Sequence, residues 1–237
     1  KEWLAAAATV GPVTSRAAPD APALRRATRG VYLVFIGSGL GFASWAARIP
    51  QVREELNLTP AALGLVLLSI AVGSLIALPS AGLIVHRIGA AKTIVVMSLI
   101  LATGIATAGV GVRVGVSPVV IGLVLLGFGS GGWDVAMNVE AAAVEQQLKR
   151  SIMSRFHAGF SLGTVIGALL GAALNALQVS VTVNLLLIAL LLAVAMPLST
   201  RGFLPAGTDA HDDPGENIHP LQAWIAPRPL PILPVVL

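Results

Sequence analysis

Cysteine is absent from the 237 residues. That excludes disulfides, thiol catalysis and cysteine metal sites. Charge is scarce too: Asp, Glu, Lys and Arg make up 11% of the chain, where a soluble domain carries roughly 25%. There is too little polar surface here to clothe a water-soluble globule. Ten-residue stretches of alternating polarity, the mark of an outer-membrane barrel, are missing as well. So are a cluster of metal-ligand residues and a nucleophile with a base spaced to activate it, which argues against an enzyme, a metal site or a bound cofactor. The glycine-rich "GSGGWD" at 129–134 sits inside an apolar run and follows no strand, so it does not read as a nucleotide loop.

What the chain has is apolar length. It is 56% hydrophobic, with a mean hydropathy of +0.87. Six runs lie near the roughly 20 residues that a bilayer demands: about 30–49, 61–85, 93–112, 119–139, 156–177 and 181–198. Lipid offers backbone groups no partners, so these runs are expected as helices. The expected fold is an all-α membrane protein of six transmembrane helices. Residues 1–29, rich in Ala, Pro and Arg, read as a mobile cytoplasmic arm. The transmembrane domain is 30–198. The stretch 199–237, with "DAHDDPGEN" and several prolines, reads as a cytoplasmic linker and the start of a truncated second half. The connection "PQVREELNLTP" reads as a polar loop, and 140–154 as a longer one. A start at Lys1 and a stop within "PRPLPILPVVL" suggest a fragment of a longer protein.

Net charge is +4, and the basic residues are explained by orientation rather than by nucleic acid. With a cytoplasmic N-terminus, Arg48, Arg53 and Arg113 fall outside and the other twelve Lys and Arg fall inside. This asymmetry favours a cytoplasmic N-terminus in a bacterial inner membrane. The triplet Gly-Ser-Gly at 37–39 recurs at 129–131, an offset of 92. The same offset carries the second span onto the fifth and the third onto the sixth. Three spans echoed by three more form two inverted repeats, an architecture of transporters.

Asp134 draws the eye first. An ionisable residue within a membrane helix is a functional candidate by default. Ser130, Asp134 and Asn138 are spaced i, i+4, i+8 and share one helix face. That face can bind a proton and the hydroxyls of a polar solute, and Trp133 could stack on a sugar. The bland reading is a structural Asp held by neighbouring helices. Gly159, Gly163, Gly167 and Gly171 recur every four residues in the fifth span, as do Ser69, Gly73, Ala77 and Ala81 in the second. Such stripes let helices approach closely. Trp45 and Arg48 read as anchors at the outer end of the first helix, with a solute-binding role for Arg48 as the alternative. His157 reads as an interfacial polar residue or a proton relay. Glu145 and Lys149 read as an i, i+4 pair on the solvated face of a short cytoplasmic helix. Asn175 and Asn184 flank an outer turn and suggest no role.

"GLIVHRIGAAK", from Gly82 to Lys92, resembles the loop between the second and third helices of the major facilitator superfamily. Gly82, Arg87, Gly89 and Lys92 match that motif; His86 replaces its acid and Ala90 a basic residue. "WAARIPQVREELNLTPAALGLVLL", "GSLIALPSAG" and "SRFHAGFSLGTVIGALLGA" are similar to inner-membrane permeases allied with the fucose permeases. The likeness covers about 30–200 and fits the N-terminal six helices of a twelve-helix fold. It implies alternating access, a small-molecule solute site between two halves, frequent proton coupling, and a gating loop at Gly82, His86, Arg87, Gly89 and Lys92. Asp134 looks like the acid that fucose permeases carry in their fourth helix, while their first-helix acid has no counterpart between Gly30 and Ile49. An Arg four residues before Gly-x-Gly, common in drug exporters, is replaced by Leu123. No Gly-Pro occurs between Phe156 and Leu177. Both absences tilt towards uptake. An exporter of small amphipathic compounds and a non-transporting scaffold or sensor are the alternatives. The expected partners are solute, protons, the lipid bilayer, and a missing C-terminal half or a second copy.

Overall fold

The computed structural model describes residues 19–204. Every long element among them is a helix: α1 Ala21–Ala46, α2 Ile49–Glu55, α3 Pro60–Ile88, α4 Ala90–Gly111, α5 Val116–Leu148, α6 Met153–Ala176 and α7 Val181–Ser199. Counting α1 and α2 as one crossing, six are long and apolar enough to span a membrane.

Local sequence sets their starts. Asp20 caps α1 by accepting the Ala23 amide at 2.8 Å, and Thr59 caps α3 through Ala62 at 3.2 Å, just before Pro60. Both follow the preference for a short polar acceptor at the cap and proline in the first turn. Between α3 and α4 stands a single residue, Gly89, with φ of 83°. A side chain there would be strained, so the glycine makes this joint possible.

The helices pair across the two triplets. α3 lies on α5, α6 lies on α1, and α4 packs on α5 and α7. The second helix of each triplet therefore rests on the first helix of the other, which is the reciprocal arrangement two inverted repeats produce. Small residues make these pairings close. The buried positions of α3 are Val66 with Ser69, Gly73, Ala77 and Ala81. Those of α6 are Phe156 with Gly159, Gly163, Gly167 and Gly171. A Cβ on Gly73 would collide with the Val124 carbonyl of α5, and one on Gly163 with the Ile36 carbonyl of α1. Large side chains fill the space farther in: Phe35, Trp45, Leu101, Ile105, Leu123, Trp133 and Leu185 are all buried.

Three boundaries differ from expectation. α1 begins at Ala21, ahead of Gly30, because Asp20 and Pro22 start the helix early; only residues 1–18 of the expected arm lie outside the described residues. α5 continues past Val139 to Leu148. The sequence "EAAAVEQQL" is polar enough to read as a loop, yet its residues are strong helix formers, and Ala141, Ala143 and Val144 are buried. The loop after α1 contains the two-turn helix α2, whose Val52 is buried. On the far side, residues 200–204 are not free linker. Thr200–Gly202 forms a 3₁₀ turn, and a Cβ on Gly30 would meet Phe203 at 3.0 Å, so this turn packs back on α1. Residues 205–237, the remainder of the expected linker, lie outside the described residues.

Candidate functional site

α5 is clasped by α3 on one side and α4 on the other. Gly127 and Gly131 face α3, while Gly129 and Gly132 face Leu101 and Met97 of α4. Trp133, Met137 and Glu140 are buried. What remains of the helix surface is a strip through Ser130, Asp134 and Asn138. Asp134 is exposed on that strip, with Ser130 and Asn138 half-buried. The Asn138 amide donates to the Asp134 carbonyl at 2.8 Å and touches its carboxylate at 3.5 Å. The Asp134 carboxylate therefore keeps most of its hydrogen-bonding capacity open.

His157 of α6 joins this group. Its imidazole stands edge-on to the Phe35 ring, centroids 5.3 Å apart at 85°, and lies within electrostatic range of Asp134. Sequence spacing does not link 134 to 157; the pairing of α6 on α1 brings the imidazole round. The strip thus offers a carboxylate, a carboxamide, a hydroxyl and an imidazole on an otherwise apolar surface. Such a set can exchange a proton and bind hydroxyls. Trp133 is not part of it. Its side chain is fully enclosed, 0% exposed, with its indole N–H unpartnered among the described residues. It is a core residue in this conformation rather than a stacking surface. No group of three or more His, Cys, Asp or Glu is gathered for a metal among the described residues.

The sequence profile of the Major Facilitator Superfamily matches residues 31–234. The chain belongs to the major facilitator superfamily. An uncharacterised MFS-type transporter of Yersinia pestis is 35% identical over 132 residues, 55% of this chain and 33% of that protein. An uncharacterised transporter of Sinorhizobium fredii is 32% identical over 134 residues, 56% of this chain and 35% of its own length. Membrane protein MosC of Rhizobium meliloti is 29% identical over 140 residues, 57% of this chain and 33% of its own. The matched stretch spans about a third of each relative. No solved structure gives a significant match.

As a major facilitator domain, this is a non-enzymatic, multi-pass membrane transport fold with the six helices of one half. Its α3–α4 connection is tighter than a loop. Gly82, His86 and Arg87 are in α3, Gly89 is the joint, and Lys92 opens α4. The side chains of His86, Arg87 and Lys92 are all exposed at that end of the domain. The four α6 glycines lie on α1, against Tyr32, Ile36, Leu40 and Ala47.

Arg48 departs most from expectation. It does not snorkel: it is 1% exposed. Its guanidinium donates to Asn184 Oδ1 at 2.7 Å, Asn175 Oδ1 at 3.1 Å and the Val179 carbonyl at 2.9 Å. The two asparagines that suggested no role are the ones that hold it. Trp45 is buried beside it in the chain rather than set at an interface. The expected Glu145–Lys149 pair is replaced as well. Lys149 ends α5 in the left-handed conformation. The Glu145 carboxylate instead accepts the Ile152 and Met153 amides at 2.6 and 2.5 Å and so caps α6.

Proposed function

We propose that this chain is the N-terminal half of a proton-coupled carrier that moves a small polar solute, with sugars the leading class, by alternating access. Asp134 loads and releases the proton, with His157 alongside it. Ser130 and Asn138 orient the solute. The exposed basic end of α3 and α4, with Arg87 and Lys92, braces the second half during the switch. The N-terminus is cytoplasmic, and the membrane is the bacterial inner membrane. A C-terminal six-helix half, or a second copy of the chain, completes the carrier.

One observation carries this reading. Asp134 stands on the unpacked strip of a helix whose other faces are buried against α3 and α4, in a chain with almost no other membrane-depth acid. A carboxylate there is costly and persists where it serves a solute or ion path. The supporting observation is the breadth of outward apolar surface. Only 22% of the apolar window of α3, and of α6, is buried, which leaves room for a partner half across the site.

The test uses the complete carrier in proteoliposomes. Solute panels are screened by counterflow, and proton coupling is then read as a solute-driven pH change across the vesicle. Asp134→Asn is expected to fold and insert normally but to lose the coupled pH change. Coupled uptake at the native rate by that variant would sink the assignment.

A further inference from the structure

Away from the α5 strip, a cavity of about 490 Å³ opens where the start of α1 meets the α5–α6 connection. Four arginines surround it: Arg25 and Arg29 from α1, Arg150 from the connection, and Arg155 from the first turn of α6. Its walls are otherwise largely apolar, with Leu24 and Tyr32 among them.

Four like charges about one space repel one another and need a counter-charge. No carboxylate is among the residues that line the cavity. The nearest acids in sequence are directed at backbone amides: Asp20 accepts the Ala23 amide, and Glu145 accepts the Ile152 and Met153 amides.

The backbone that carries the four exposed arginines is held in place. Arg25 and Arg29 are one turn apart on one face of α1. Arg155 is carried by α6, whose Phe156 ring meets Tyr32 of α1 edge-on at 4.8 Å. The Glu145 bonds hold Ile152 and Met153, between Arg150 and Arg155, in place.

We propose that this cavity binds a phosphate-bearing anion, gripped by Arg25, Arg29, Arg150 and Arg155. Planar guanidinium forks match phosphate oxygens in pairs. The apolar wall suits the glycerol and first acyl carbons of a phospholipid, and a basic pocket between helix ends lies at headgroup depth. A membrane phospholipid and free phosphate share this chemistry, so the experiment separates them. The site does not involve Asp134 and stands apart from the proton reading.

The chain is purified in neutral detergent. Thermal unfolding is followed with short-chain phosphatidylglycerol, short-chain phosphatidylcholine, and inorganic phosphate at matched ionic strength. Stabilisation by phosphatidylglycerol and not by phosphatidylcholine is the expected result, and it assigns an anionic lipid. Stabilisation by phosphate that competes with the lipid supports the site and assigns the free anion. Equal response to phosphatidylcholine, or response to none, overturns the proposal. The variant Arg25→Gln/Arg29→Gln/Arg150→Gln/Arg155→Gln is expected to bind at least roughly tenfold more weakly, whereas Arg53→Gln binds like the native chain. Undiminished binding by the fourfold variant overturns the proposal. A photoreactive phosphatidylglycerol mapped on the unmutated chain decides the matter even if that variant fails to fold: labelling at 21–32 and 148–155 supports the site, and labelling elsewhere overturns it.

Discussion

Arg48 shows how neutral oxygens can hold a buried guanidinium. Its three recorded acceptors are neutral oxygens, two from side-chain amides and one from the backbone, all in or beside the turn between α6 and α7. The guanidinium fork suits three separated acceptors, which an ammonium cannot span in one geometry. Arg48→Ala would strand the buried Asn184 and Val179 oxygens and is expected to cost about 2–4 kcal/mol. Arg48→Lys should recover only part of that. Thermal unfolding in detergent checks both, and an unchanged midpoint for Arg48→Ala would remove the clamp from the account. The acid and the clamp differ in legibility. Asp134 and Asn138 declare themselves through helical spacing within nine residues. The Arg48 contacts bridge 127 to 136 positions of sequence, a distance no local pattern encodes. His157 was visible as a polar residue at a helix start, but its approach to Asp134 depends on how α6 is placed.

Elements follow from composition more directly than contacts do. Hydropathy marks the six spans, and glycine periodicity marks the faces of α3 and α6 that pack. The helical tail of α5 was hidden because polarity and helix propensity disagree over 140–148, and burial of its alanines settles the matter. The glycine stripes also permit a controlled comparison. Gly163→Leu would force α6 off the α1 backbone and is expected to destabilise by about 1–3 kcal/mol or more. Gly64→Ala, on α3 where a Cβ meets nothing within 4 Å, should be neutral or slightly stabilising through helix propensity. Parallel unfolding curves would show whether the two glycines part in this way. Similar losses at both would mean that general helix flexibility, not close approach, sets the requirement.

For the whole molecule, the paired triplets leave two broad apolar faces. Leu65, Leu75 and Ile76 of α3 are exposed, as are Leu162, Val165 and Leu169 of α6. Lipid can cover such surface, and so can a second six-helix half. The 237 residues carry no cysteine, so within them a single introduced thiol reports its own surroundings. Leu75→Cys and Leu169→Cys should react freely with a maleimide in the isolated chain and slowly in the complete carrier, while Leu99→Cys on α4 reacts alike in both. Equal rates at all three positions would place these faces in lipid. The inverted repeat was readable from span spacing, whereas the reciprocal pairing of α3 on α5 and α6 on α1 emerges only once the helices are packed.

α5 has one more property that bears on motion. Past Asp134 it runs on for four turns, and two of its carboxylates hold other parts of the chain: Glu145 the first amides of α6, and Glu140 the Leu204 amide at 3.3 Å. Glu140 lies about 9 Å along the axis from Asp134. The rod that carries the acid is therefore also a mooring for the turn that follows α7. Tilting it would pull on both the start of α6 and the end of α7.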